Sequence, residues 1–205
     1  MPVDPEPPPR DHVRMTATTS FTRMDKSTAE QWAVIGSETM TNQPRVAEAV
    51  LAMLRSLGSI TDGFSTDQLT HCLQTATLAE RAGADDEVVV ASLCHDVGKA
   101  ISVFGHPQIA AAILQPYVRK EVYEMIRVHQ DFQGKHYYGH FGGDTDAREQ
   151  HRDTLSAEEF ALAAKFADEW DQIAFDPDFD TLPLEHFEPV VRAVFAAPSP
   201  LSTRE

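Results

Sequence analysis

At 205 residues the chain can form one well-cored domain, and 42% apolar with 24% charged residues is ordinary globular composition. A formal net charge of −15, with only 17 Lys and Arg, argues against nucleic acid or an anionic membrane as partner, since both call for basic patches. No apolar run approaches the roughly 20 residues of a spanning helix, and the start, MPVDPEPPPRDH, lacks a charged-then-apolar export signal, so a cytoplasmic protein with a small-molecule substrate is expected.

Residues 1–30, rich in Pro, Thr, Ser and charge, read as a mobile arm, and 31–205 as a single domain. The segment TNQPRVAEAVLAMLRSLGS predicts a helix, with Asn42 as cap, Pro44 in the first turn and Val46, Val50, Met53, Leu54 and Leu57 at helical spacing before Gly58. STDQLTHCLQTATLAERAG predicts the next, capped by Ser65 or Thr66 and ended by Gly83. DDEVVVASLCHDVG opens on acids, as a helix N-terminus favours, and closes on Gly98. HPQIAAAILQ and RKEVYEMIRVHQ predict two more, followed by a long irregular stretch, DFQGKHYYGHFGGDTDAREQHRD. SAEEFALAAKFADEWDQIAF and LEHFEPVVRAVF complete the series. Val88 to Val90 could seed a strand but find no alternating partner, so the fold class is all-α. Cys72 and Cys94 read as reduced, buried small residues.

Within these helical runs lie six residues able to bind metal: His71, His95, Asp96, His106, His129 and Asp168. One such histidine in a core is more often a satisfied structural residue. Ligand types on five successive helices, anchored by a His–Asp dipeptide, point instead to a metal centre. Imidazole and carboxylate without thiol suit iron or manganese better than structural zinc. Six ligands on one ion would leave no position for chemistry, which favours two metals. Asp96 is then the natural bridge, with His71, His95 and Asp168 completing one site and His106 and His129 the other. The solvated or structural reading is preferred for His12, His136, His140, His151 and His186.

The order H…HD…H…H…D, carried by LTHCLQTA, SLCHDVGK, FGHPQIAAAIL, RVHQ and KFADEWD, resembles the HD-domain superfamily over roughly residues 42–195. Within it the chain is similar to the mixed-valent diiron oxygenases, and most of all to those that cleave phosphonates. The resemblance implies a helical bundle around two irons, Fe(II) and Fe(III), with O2 as co-substrate. It implies cleavage of the carbon–phosphorus bond of a 1-hydroxyphosphonate. Lys99 is similar to a substrate-contacting lysine of the superfamily's inositol oxygenase, and Asp96 and Lys99 are the expected catalytic pair. Members acting on a primary aminophosphonate carry histidine at the Lys99 position and a Tyr and Glu in the preceding loop. Here that loop is SITDGFSTDQLTH, with neither. A quaternary ammonium donates no hydrogen bond and is held by aromatic faces and negative charge. The expected substrate is therefore (1R)-1-hydroxy-2-(trimethylamino)ethylphosphonate, giving glycine betaine and phosphate in phosphonate catabolism. Asp62, Tyr137, Tyr138 and Phe141 are the candidates for its cationic end, with Phe64, Phe132 and Trp170 also near ligand positions. Lys99, Lys135 and Lys165 are the candidates for its phosphonate. The alternative is a metal-dependent phosphohydrolase of the same superfamily acting on a nucleotide or phosphate ester.

Overall fold

The computed structural model describes residues 17–196 and Pro198. They fall into two compact units, one within Met1–Gln43 and one within Pro44–Glu205. Among the described residues there are eight α-helices and no strand; hydrophobic spacing predicts the all-α class and seven of these helices, but not the first. Residues 1–16 of the expected arm, with His12, lie outside the described residues. The rest of the first unit holds a 3-10 turn, Met24–Lys26, and helix α1, Ala29–Asn42. Thr28 and Gln31 cap α1 reciprocally, each side chain accepting from the other's backbone N–H. Asn42 thus ends α1 instead of capping the next helix.

The second unit holds α2 (Arg45–Ser56), α3 (Gln68–Arg81), α4 (Asp86–Cys94), α5 (His106–Leu114), α6 (Lys120–Tyr137), α7 (Ala157–Lys165) and α8 (Leu184–Phe195). Helix α2 buries Ala47, Val50, Leu51 and Leu54 on one stripe, the 3.6-residue period of an amphipathic helix. The cap of α3 is Asp67, whose carboxylate accepts from Thr70 N at 2.9 Å, and not Ser65 or Thr66. A carboxylate suits this position better than a hydroxyl because it also meets the helix dipole. Asp85 does the same for α4. After α3, Gly83 takes φ +77, a left-handed stop that a side chain would strain.

Two apolar clusters hold the unit. The larger joins α2, α3, α4, α5, α8 and the N-terminal half of α6 around Leu51, Leu54, Leu93, Leu114 and Phe187, all fully buried. The smaller packs Val128 and Phe132 of α6 against Leu155, Ala163 and Ala167. Helix α6 is the central wall, in contact with α4, α5 and α7. It runs 18 residues to Tyr137, well into the stretch expected to be irregular. Its buried Gly134 lies under the Tyr138 ring, which keeps the final turns packed.

Candidate metal centre

Each candidate ligand is placed by a local structural reason. His71 stands one turn into α3. His95 caps the C-terminus of α4, and Asp96 leaves the helix (φ −100, ψ 5) into a 3-10 turn, Val97–Ala100. His106 opens α5, and His129 faces inward from α6. A side chain on Gly98 would meet His106 backbone O at 2.4 Å and Cα at 2.7 Å. Its φ is not positive, so glycine is needed for space and not for conformation. The HDVGK spacing thereby seats the start of α5 directly on the turn after Asp96.

All four imidazoles are buried and aimed the same way. Nδ1 of His71 donates to Ala174 O at 2.9 Å, and those of His95, His106 and His129 donate to Ser92 O, Val103 O and Ile126 O, each at 2.7 Å. A proton held on Nδ1 leaves the Nε2 lone pair free, which is how backbone carbonyls orient metal-binding histidines. The Nε2 atoms then face one another in pairs, His71 with His95 at 3.0 Å and His106 with His129 at 3.2 Å. Asp96 lies between the pairs. Its Oδ2 is 3.4 Å from His95 Nε2 and 3.6 Å from His71 Nε2, while Oδ1 is 3.0 Å from His106 Nε2 and 3.7 Å from His129 Nε2. The ligand atoms form two triads that share this carboxylate.

Asp168 does not join them. It is about a third exposed, and Arg148 grips it with both Nη atoms, at 2.9 and 2.8 Å. His136 Nε2 donates to it at 2.8 Å, and Lys135 Nζ lies 3.7 Å away. Those contacts, the Arg148 hydrogen bonds first, hold its carboxyl well below the usual range against the opposing effect of partial burial. The carboxylate that faces the histidines is Asp171, fully buried, with Oδ1 3.1 Å from His71 Nε2 and 3.5 Å from His95 Nε2. Between the two acids the helix widens into a π turn, Phe166–Trp170, so three residues no longer return a side chain to the same face. Such turns recur at functional sites. The second acid of the sequence KFADEWD, not the first, takes the inward position.

The charge balance of the cluster fits a metal. Neither oxygen of Asp171 accepts a hydrogen bond, a costly state for a buried carboxylate unless a cation is close. Burial pulls the His95 pKa down, yet Asp96 and Asp171 outweigh it and push the imidazole up to about 10. Asp96 and Asp171 are themselves held below the usual carboxylate range, the imidazoles overcoming burial. Two buried carboxylates facing four imidazoles thus demand positive charge, from a proton drawn onto His95 or from a metal. Divalent ions held by His71, His95, Asp171 and Asp96 on one side, and by His106, His129 and Asp96 on the other, would supply it.

The centre floors a cavity of about 760 Å³. Asp62, Lys99, Tyr137 and Phe141 line it, as does Phe64. Lys135, Tyr138 and Lys165 do not. Lys135 points toward Asp168, Tyr138 packs on Gly134 with its hydroxyl toward Asp131, and Lys165 lies over the Trp170 ring at 5.3 Å. Phe132 and Trp170 are core residues. Lys99 is nearly buried, with Nζ 2.7 Å from Asp96 Oδ2 and 2.8 Å from Gln68 Oε1. Burial would lower its pKa, but Asp96 more than compensates and it stays charged. The wall also contains residues that sequence reasoning passed over: Phe104, Gln130, Gln133, Gln172 and Phe175, together with His136, whose structural reading did not foresee a place on the cavity. Phe175 stacks on His71 at 4.2 Å and 10°. Gln74 fixes that segment by pairing its amide with the backbone of Asp176.

The HD domain family model matches residues 69–176, just over half of the chain. The 1-hydroxy-2-(trimethylamino)ethylphosphonate dioxygenase (glycine-betaine-forming) of Leisingera caerulea is 31% identical over 70 residues, 29% of this chain. That match spans 36% of the relative's own length.

Proposed function

The chain belongs to the HD-domain family, and we propose that it is a diiron oxygenase that cleaves the carbon–phosphorus bond of (1R)-1-hydroxy-2-(trimethylamino)ethylphosphonate, forming glycine betaine and phosphate. Asp96 carries this reading: one carboxylate presents an oxygen to each of two histidine pairs, the arrangement that a two-metal site needs. Iron bound there would supply Lewis acidity toward the substrate's hydroxyl and electrons for reaction with O2.

The chain's own residues supply orientation and charge. The four backbone carbonyls fix the imidazole rings before any metal arrives, so little reorganisation is left for binding. Lys99 Nζ stands against Asp96 Oδ2, where an anionic phosphonate oxygen near the metals would gain a charge-assisted hydrogen bond. Phe175 and Phe64, stacked at 4.7 Å, cover His71 and keep water from that side. Lys99 is the one lysine or arginine among the lining residues. One ammonium suits a single small phosphonate better than a nucleotide, whose polyphosphate calls for several cations.

The test is anaerobic loading of the full chain with iron, followed by EPR and exposure to the trimethylammonium hydroxyphosphonate in air. A coupled Fe(II)/Fe(III) signal, with O2 uptake matching phosphate release, is expected. Oxygen-independent phosphate release from nucleotides or phosphate esters, with no O2 uptake on the phosphonate, would overturn the reading in favour of a hydrolase.

A further inference from the structure

Charge and exposure change together from the floor of the cavity to its mouth. The floor, Asp96 with Lys99 and His106, is nearly solvent-free. The mouth holds an acid, Asp62, and aromatic rings in water: Phe104 is 98% exposed, Phe141 84% and Phe64 49%. Exposed aromatics gathered on a cavity rim are a binding surface more often than an accident. Asp62 adopts φ +48, the one positive value at a non-glycine among the described residues, and Gly63 follows at +84. This strained turn presents Asp62 and Phe64 together at the opening.

The rings differ in what they can still hold. Phe64 has one neighbour in Phe175, and Lys99 Nζ lies 6.0 Å from its centroid, so a second cation there would meet the lysine. Phe141 touches Tyr137 edge-on at 6.4 Å. Phe104 makes no ring contact among the described residues, which leaves its faces available. Its loop is not adrift, because ligand His106 donates from Nδ1 to Val103 O. Whatever fixes the His106 ring fixes the loop that carries Phe104.

We propose that Phe104, with Phe141 and Asp62, forms a mouth subsite for a quaternary ammonium head and so determines substrate specificity. This inference rests on the proposed function and deepens it. The anionic end of the substrate goes down to Lys99 and the centre, and the alkylated cation stays at the rim. A trimethylammonium group needs aromatic faces and nearby negative charge, and donates no hydrogen bonds. A bare phenyl ring on a rim that also carries a carboxylate meets that need and offers nothing specific to a primary amine. The residue lies two positions before His106 in FGHPQ, where a sequence reading assigns it no role.

The test is equilibrium binding of choline, its neutral carbon isostere 3,3-dimethylbutan-1-ol, and ethanolamine to the iron-loaded full chain under argon, by calorimetry. Choline is expected to bind about two- to fivefold tighter than the isostere, the factor that cation–π attraction at an exposed site is worth. It should also bind tighter than ethanolamine, whose N–H donors lose water without gaining a partner at a phenyl ring. Phe104→Ala should abolish the preference and Phe104→Trp should keep it. Because Phe104 is bathed in solvent, neither change should disturb folding, which circular dichroism checks. Equal binding of choline and the isostere, or an unchanged preference in Phe104→Ala, overturns the subsite. So does a self-associating chain that Phe104→Ala turns monomeric, since the rim would then be an interface between copies. Choline selectivity without O2 uptake on the phosphonate would leave the subsite standing and remove the oxygenase. Phosphonate cleavage with no role for Phe104 would do the reverse.

Discussion

Asp168 and Asp171 are three residues apart, share a chemistry and have opposite surroundings. Asp171→Ala is expected to cost one metal equivalent, with affinity at that position falling by at least about 100-fold, since losing even a group that only orients a ligand costs about 10- to 100-fold. Asp168→Asn should keep full metal content, measured on the same preparations by elemental analysis. Its effect belongs to stability, about 2 kcal/mol, because it takes a charged partner from the nearly buried Arg148. The pH dependence has a definite sign. The Asp168 carboxyl is held below its ordinary value in the folded protein, so its contribution is complete above an unfolded pKa of about 3.9. It disappears as pH falls through the folded value. Urea midpoints of the native chain and of Asp168→Asn should therefore differ by a constant amount from pH 5 to 8 and converge below about pH 4.

At the scale of elements, the centre depends on how tightly the turn after Asp96 meets α5. Gly98→Ala should push a methyl group into the His106 backbone, where no flexible side chain can give way. Overpacking of this kind costs about 1–3 kcal/mol. Unlike a core cavity it should also separate His106 from Asp96, so loss of the His106–His129 metal should accompany a lower melting temperature. Full metal occupancy in Gly98→Ala would mean that the turn, and not the spacing, adapts. Seven of the eight helices and five of the six inward-facing His and Asp side chains are legible in the sequence, since apolar periodicity and the His–Asp pair are local signals, whereas α1 buries no residue and carries no such stripe. Asp171 was not, because a π turn leaves no mark in composition and KFADEWD offers two acids at helical spacing. The cavity wall was only half legible. Phe64, Tyr137 and Phe141 line it, whereas Lys135, nearer to His129 in sequence than either Tyr137 or Phe141, and Lys165 are turned away by contacts with Asp168 and Trp170, which sequence distance and charge do not reveal. The last turns of α6 are not legible in DFQGKHYY, where a glycine weakens the helical signal, yet in the structure Gly134 makes room for Tyr138.

For the molecule as a whole, the apolar core and the polar centre are stabilised by different things. Leu51, Leu54, Leu93, Leu114 and Phe187 bury their surfaces with no part in the centre, and hydrophobic burial needs no ion. The four histidines with Asp96 and Asp171 have the opposite character. They pack two carboxylates and four imidazoles into a dry interior, within a chain that already carries a formal net charge of −15. Metal binding should therefore raise stability by linkage, while its removal should leave the helices folded. At a free metal concentration about 100 times Kd the gain is about 2.7 kcal/mol, which for a domain of this size corresponds to about 5–10 °C in Tm. Dialysis against a chelator should lower Tm by that amount with the far-ultraviolet circular dichroism unchanged, and added Fe(II) should restore it. Asp171→Ala should show a smaller shift on adding metal than the native chain, because one side of the centre is incomplete. Its metal-free Tm should lie below that of the metal-free native chain, because the facing imidazoles hold the Asp171 carboxyl below its ordinary value and the substitution removes that attraction. Asp171→Ala gaining as much Tm from added metal as the native chain would show that the carboxylate contributes to folding through the imidazoles alone, and the case for a metal at that position would fall with it.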